Sequence, residues 1–230
     1  MEGYDSGMEK FATIRERAAR RKGGAAALAK LLPKPLSAAA LRRQPDDYYL
    51  AEMSRAVFRS GFVWKIVDYK WPGMEAALHG FDPVACAYQP DEVIEALTSD
   101  ERVIRHYKKL ISVRDNAVFL LDIEREHGSF GAFVAGWPVT DIVGLHALLK
   151  KRGSRLGGRT GQFFLRRVGK DTFCLTRDVV GALIRQGVID RDPTSKRDLA
   201  TVQAAFNAWR EESGRPLSEI SRVLSCSIEG

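Results

Sequence analysis

KKRGSRLGGRTGQFFLRRVGKDTFCLTRDVV, running from Lys150 to Val180, is the stretch around which the chain is organised. It reads as the end of a helix, a glycine-rich hairpin, a second helix, and a short loop that delivers Asp178 to the start of a third. The helix leading into it, around Asp141 to Lys151, sets Ile142, Leu145, Leu148 and Leu149 at helical spacing. Gly153 ends that helix, and Gly157-Gly158 make a turn in which several backbone N–H groups face outward. The next helix starts near Arg159 and is expected to bury Phe163, Phe164 and Val168. A hairpin of this kind aims N–H groups and a helix N-terminus at one point, which suits a phosphate. Between Ala147 and Asp178 nine Lys or Arg stand against two Asp. That balance favours a polyanion as partner.

The rest of the composition narrows the class. A hydrophobic share of 45% with 28% charged residues is that of an ordinary globular chain, and 230 residues allow one sizeable domain or two small ones. Residues 1–45 hold ten basic and four acidic side chains, residues 46–146 ten and sixteen, and residues 179–230 seven and seven. The positive charge is therefore concentrated in the N-terminal arm and the hairpin, as a nucleic-acid footprint requires. The alternative is a basic protein whose Lys and Arg are merely solvated. Cys86, Cys174 and Cys226 are too far apart for a CxxC knuckle, and His79, His106, His127 and His146 are scattered. A reducing compartment and no metal site are expected. No apolar run has the length of a membrane span, and the N-terminus lacks the apolar core of a signal peptide, so the expectation is a cytoplasmic protein with no membrane partner.

Along the chain, helical signals dominate. Residues 8–45 form a basic, loosely helical arm broken by Gly23-Gly24 and by Pro33 and Pro35. DDYYLAEMSRAVFRSGF gives a helix with Tyr49, Met53, Ala56 and Val57 on one side. Pro72 is expected to open the next helix, with Met74, Ala77 and Leu78 inward and an exit at Gly80. A long helix should run from about Tyr107 to His127, and two more should follow the hairpin segment, from about Arg197 to Ser213 and from Pro216. No sustained period-two alternation occurs. The chain should be all-α, with a basic arm over 1–45, a helical lobe over 46–145, and a hairpin lobe over 146–230.

Several blocks together carry a resemblance. Ser60-Gly61-Phe62-Val63-Trp64 followed by HGFDPV (His79 to Val84) is similar to a block of the form AGLSW…FDPV. The run from Val103 to Lys109, VIRHYKK, leads into Asn116-Ala117 as an I-R-H-x-x-K-I block does. Lys150-Lys151-Arg152-Gly153 with Gly158 and Thr160 is similar to a KKRG…VGTT block. In this order the blocks resemble the DNA-3-methyladenine glycosylase I family, among the helix-hairpin-helix DNA glycosylases. The resemblance spans roughly residues 50–180. It implies two helical lobes with a cleft between them. The implied activity is a base-excision-repair glycosylase that hydrolyses the N-glycosidic bond of alkylated purines, acting as a monomer on double-stranded DNA containing a damaged base. Three departures stand out. The family's zinc cage needs Cys and His near both chain ends, and the N-terminal arm has neither. The family's purine-reading Glu falls on Ala56. Its N-terminal tyrosine block is absent.

Roles follow for particular residues. TRDVV places Asp178 where the superfamily carries its catalytic aspartate, and a carboxylate near C1′ stabilises an oxocarbenium-like transition state. Serving the helix dipole is its alternative role, with Thr176 as the cap. Trp64, Phe62 and Tyr49 are expected to line the base pocket, because a flipped base is gripped by stacking, with Arg59 nearby. Gly157, Gly158 and Thr160 form the expected phosphate clamp, with Lys150, Lys151 and Arg152 adding charge. Arg105 and Lys108 mark a second DNA contact or a solvated helix face. Positions 157–162 offer no Lys for a Schiff base, so a monofunctional enzyme without cofactor is expected. A non-catalytic DNA-binding module is the alternative.

Overall fold

The computed structural model describes residues 7–228; residues 1–6 and 229–230, which belong to the expected first and third regions, lie outside the described residues. Among the described residues there are fourteen α-helices and no strand. In chain order they are α1 (Phe11–Arg21), α2 (Ala25–Ala29), α3 (Ala38–Arg43), α4 (Asp46–Arg59), α5 (Trp64–Ala77), α6 (Pro83–Ala87) and α7 (Asp91–Ala96). They continue with α8 (Tyr107–His127), α9 (Phe130–Gly136), α10 (Ile142–Arg152), α11 (Arg159–Arg167), α12 (Arg177–Arg185), α13 (Lys196–Ser213) and α14 (Leu217–Ser227). No single helix among the described residues is long and apolar enough to cross a membrane.

The helices form two compact units. One comprises Met1–Pro35, Pro138–Val143 and Asp171–Gly230; the other comprises Leu36–Trp137 and Gly144–Lys170. This differs from the expected division at 45 and 145, and long-range side-chain bonds explain why. In the first unit the N-terminal arm is stitched to the C-terminal helices. The Phe11 N–H donates to the Glu212 carboxylate at 3.0 Å, the Trp209 indole N–H donates to the Glu9 carbonyl at 3.2 Å, and the Glu9 N–H donates to Gln186 at 2.9 Å. Phe11, Ile14 and Ala18 on α1 are buried, and Phe173 stacks on Phe206 with ring centroids 4.3 Å apart. Pro216 offers α14 no side-chain cap, so the Asp171 carboxylate accepts from the Leu217 and Ser218 N–H groups at 3.0 and 2.8 Å instead.

The second unit is built round α4, α8 and α11. Leu50, Met53, Val57 and Phe58 from α4, Leu110, Val113, Ala117 and Leu120 from α8, and Phe164 and Leu165 from α11 are all buried. Removing each such large side chain from water stabilises the fold by roughly 1.5–3 kcal/mol. Close approaches depend on glycine at two places. A Cβ on Gly131 would sit 2.6 Å from the Leu41 carbonyl oxygen, and one on Gly161 would sit 2.3 Å from that of Leu156. Pro72 departs from expectation, because it lies inside α5 rather than at a helix start. Val67, Trp71 and Met74, buried on both sides of it, hold the helix together across the missing N–H.

Candidate functional site

The hairpin between α10 and α11 is fixed from below by α8. Asn116, fully buried, donates from Nδ2 to the Ser154 carbonyl at 3.0 Å and accepts from the Ser154 N–H at 2.8 Å. A Cβ on Gly153 would meet the Leu149 carbonyl at 2.8 Å, so the chain leaves α10 in a turn that only glycine fits. Gly158, at φ 58° and ψ −137°, starts α11 with no side-chain cap. Its backbone lies in the region open to glycine. Thr160 is half-buried in the first turn that follows. Lys150 and Lys151 are exposed on the last turn of α10. Arg152 is different: it holds the Glu126 carboxylate with two bonds, at 2.8 and 2.9 Å, and its guanidinium lies 5.4 Å from the Phe119 ring centroid. The Glu126 pair raises the Arg152 pKa and lowers that of Glu126. Arg152 is therefore a strut for the hairpin, with its charge already matched. Arg105 and Lys108 are exposed just before and at the start of α8.

α4 ends beside the hairpin. Lys109, buried on α8, donates to the Phe58 and Ser60 carbonyls at 3.0 and 2.7 Å, closing the end of α4 with a cation. Burial pushes the Lys109 pKa down, and the nearby Arg155 charge pushes it further. Val57, Ser60, Arg155 and Gly157 line an open hollow of about 310 Å³. Arg155 holds φ 60°, which is rare for a residue with a side chain.

The aromatic residues expected at the pocket separate into two groups. Trp64 and Phe62 are 54% and 40% exposed at the start of α5. Trp64 meets Phe163 edge-on at 6.3 Å, and the Arg59 guanidinium lies 5.2 Å from its ring while pairing with Asp68. Tyr49 is instead a core residue. It is fully buried, packs on Phe130 at 5.2 Å, and donates its hydroxyl to the Leu41 carbonyl at 2.8 Å. A ring so enclosed has no face left for a base. Phe163 also departs slightly from expectation, being half-buried where Phe164 and Val168 are fully so. Ala56 is buried on α4. One turn earlier, the buried Glu52 pairs with Arg167 of α11 and with Arg55 at 3.2 Å, tying the two helices together.

Asp178 lies in the other unit, in the first turn of α12. Thr176 caps that helix, its hydroxyl accepting from the Val179 N–H at 3.3 Å. Asp178 is half-buried, and none of the described residues bonds to its carboxylate. Among the described residues no group of three His, Cys, Asp or Glu is placed to hold a metal ion.

Sequence reasoning met Ser60, Lys109 and Asn116 only within the similar blocks and gave them no role, and it gave none to Arg155. A signal for two of them exists, since Lys109 and Asn116 share the stripe of Val113, Ala117 and Leu120 on α8 at helical spacing.

Comparison with known proteins finds similar chains. Residues 42–154 match the family model for methyladenine glycosylase. The chain is 34% identical over 76 residues to DNA-3-methyladenine glycosylase 1 of Escherichia coli K12, spanning 33% of this chain and 41% of that protein's length. Among solved structures, the 3-methyladenine DNA glycosylase I of Staphylococcus aureus superimposes with a TM-score of 0.50 at 24% identity, covering 60% of this chain and 80% of its own. The 8-oxoguanine glycosylase/lyase of Methanocaldococcus jannaschii, solved with a 15mer DNA containing 8-oxoguanine, gives 0.51 at 16% identity, covering 93% and 95%. The helices thus take the fold of these helical DNA glycosylases, and residues 42–154 are similar to the methyladenine glycosylase family.

Proposed function

We propose that this protein is a monofunctional base-excision DNA glycosylase that takes an alkylated base out of duplex DNA, acting as a monomer. Water replaces the base at C1′ as the N-glycosidic bond breaks. The observation that carries this reading is the Asn116–Ser154 clasp, which fixes a glycine hairpin with an uncapped helix start beside exposed Lys150 and Lys151. Gly157, Gly158 and Thr160 seat a DNA phosphate there, and the two lysines add charge. Arg105 and Lys108 extend the contact along the backbone. Trp64 and Phe62, exposed and bracketed by the cations of Arg59 and Lys109, offer rings on which an extruded base stacks.

Asp178 supplies the charge that faces the developing cation on the sugar. Thr176 already caps α12, so the Asp178 carboxylate has no capping task. The hairpin carries no Lys at 157–162, so no Schiff base forms there and the product is an abasic site. One observation favours the rival reading of a non-catalytic DNA-binding module: Ala56 stands where the family carries its purine-reading Glu.

The test is Asp178→Asn, which keeps size and shape and removes the charge. Single-turnover release of base from alkylated duplex, under saturating enzyme, should fall about a hundred- to a thousand-fold, the roughly 3–4 kcal/mol typical of such electrostatic contributions. DNA affinity should hold or rise. An unchanged rate would return Asp178 to a helix-start role, and no release from the parental protein would favour the binding module.

A further inference from the structure

The two compact units carry their positive charge differently. Lys150, Lys151, Arg105 and Lys108, the cations assigned above to DNA phosphates, all belong to the unit that holds the hairpin. In the unit that holds Asp178, residues 171–230 carry eight basic and nine acidic side chains, so its C-terminal helices offer a polyanion no net attraction. A carboxylate brought towards a phosphate backbone is moreover repelled by it. The positive charge of this unit comes from residues 10–34, where eight Lys or Arg stand against the single acid Glu16. Part of that charge is already matched: α1 buries Phe11, Ile14 and Ala18, and Arg17 turns back to the Glu9 carboxylate at 2.5 Å. Arg20 and Lys22 at the end of α1, and Lys30 and Lys34 after α2, are exposed and pair with no acid among the described residues. The corner joining the two helices is fixed by Gly23 and Gly24, at φ 84° and 112°, and the Gly24 N–H donates to the Ala19 carbonyl at 2.8 Å. From Gly23 to Ala29 the only side chain larger than a methyl is Leu28, which is buried.

We propose that this α1–α2 corner is a second contact with the DNA backbone, made through Arg20, Lys22, Lys30 and Lys34 by the unit that carries Asp178. Long, uncommitted cations on a surface without bulky side chains suit a sugar–phosphate backbone, whose charge is regular and independent of sequence. The attraction offsets the repulsion of Asp178 and gives its unit a hold on the duplex that does not depend on the hairpin. The contact takes its ligand from the glycosylase reading above, but it is a property of binding and is measurable without the chemistry.

The test is the equilibrium affinity of the full chain for an undamaged duplex over a series of salt concentrations. Arg20→Ala with Lys22→Ala, and Lys30→Ala with Lys34→Ala, should each weaken binding about fivefold or more at low salt and flatten the dependence of log affinity on log salt by up to about 1.8. Lys30→Arg with Lys34→Arg, which returns the charge, should restore parental affinity and slope. Lys196→Ala with Arg197→Ala removes two exposed cations from the same unit outside the corner, and should leave the slope nearly unchanged. Unfolding midpoints should stay close to parental throughout, since every altered side chain is exposed. Parental affinity and slope in both alanine variants of the corner, an equal loss in the Lys196 and Arg197 control, or a loss that persists in the arginine variant would overturn the proposal. A parallel release assay on alkylated duplex separates the two readings. Base release by the parental chain, with corner variants that bind as it does, sinks this contact and leaves the glycosylase standing; a flattened slope without any release does the reverse.

Discussion

Two helix starts in this molecule are built from similar short loops and end with opposite electrostatics. α11 begins at Gly158 with no side-chain cap and no acid in its first turn. α12 begins after Thr176, whose hydroxyl caps it, and carries Asp178 two residues beyond that cap. The positive end of the first helix has neither a side-chain cap nor an acid beside it, while that of the second is matched internally by a cap and a carboxylate. Supports differ as well. The α11 start depends on distant groups, Asn116 on α8 and Arg152 gripping Glu126. The α12 start is closed within four residues of sequence. An open helix end thus needs a scaffold from elsewhere in the fold, whereas a capped one is locally complete.

The comparison breaks first at Asn116. Asn116→Ala removes both bonds to Ser154 and leaves a partly buried N–H and C=O without partners. Each such group typically costs about 1–3 kcal/mol. Denaturant unfolding should show a loss of about 2–4 kcal/mol. DNA affinity should fall as well, because the hairpin loses the clasp that fixes its shape. A variant with parental stability and affinity would mean that the α11 start is as self-sufficient as that of α12.

The second test concerns charge rather than shape. Lys150→Ala with Lys151→Ala leaves the clasp intact and takes two exposed cations from beside the open helix end. Affinity for all duplex sequences should weaken about equally, roughly tenfold or more at low salt. The dependence of log affinity on log salt should flatten by up to about 1.8, as each lost phosphate contact releases fewer counterions. Unchanged affinity at both low and high salt would mean that the phosphate binds elsewhere. Arg152→Ala should behave differently, because Arg152 already pairs with Glu126: the salt slope should hardly move while stability drops.

These contrasts also explain how much was legible in the sequence. The hairpin and the bounds of α8 were legible because glycines, a charge run and a 3.6-residue apolar period are local signals. The Thr176 cap was legible for the same reason. Tyr49 was misplaced because an aromatic on the inner face of a helix looks the same whether it faces a core or a pocket; the Leu41 carbonyl that engages its hydroxyl lies on another helix. Pro72 misled because a rule about helix starts was outweighed by the packing of Val67, Trp71 and Met74. Lys109 was met only as part of the VIRHYKK block and given no role, because its two carbonyl partners lie about fifty residues away. The Arg155 wall of the hollow depends on how the hairpin meets the end of α4, a tertiary relation that leaves no periodic trace. The expected boundaries at 45 and 145 followed charge, whereas the compact units follow long-range bonds such as Phe11 to Glu212 and Asn116 to Ser154.

The smallest expected effect tests the other half of the comparison. Thr176→Ala removes the cap of α12, and loss of an N-cap hydroxyl typically costs about 1 kcal/mol. Stability should fall by that amount, and the Val179 N–H should be left to water. The informative readout is the excision rate. If Thr176 caps and Asp178 is reserved for the reaction, the variant should release base within about threefold of the parental rate, since the carboxylate stays where it was. If instead the rate falls as far as with Asp178→Asn, the carboxylate has turned inward to serve the uncapped N–H groups. The division of labour between the two side chains would then be wrong. The double variant, Thr176→Ala with Asp178→Asn, checks the same point by additivity: independent roles give a stability loss and a rate loss equal to the sums of the single effects, and a shortfall in either exposes coupling.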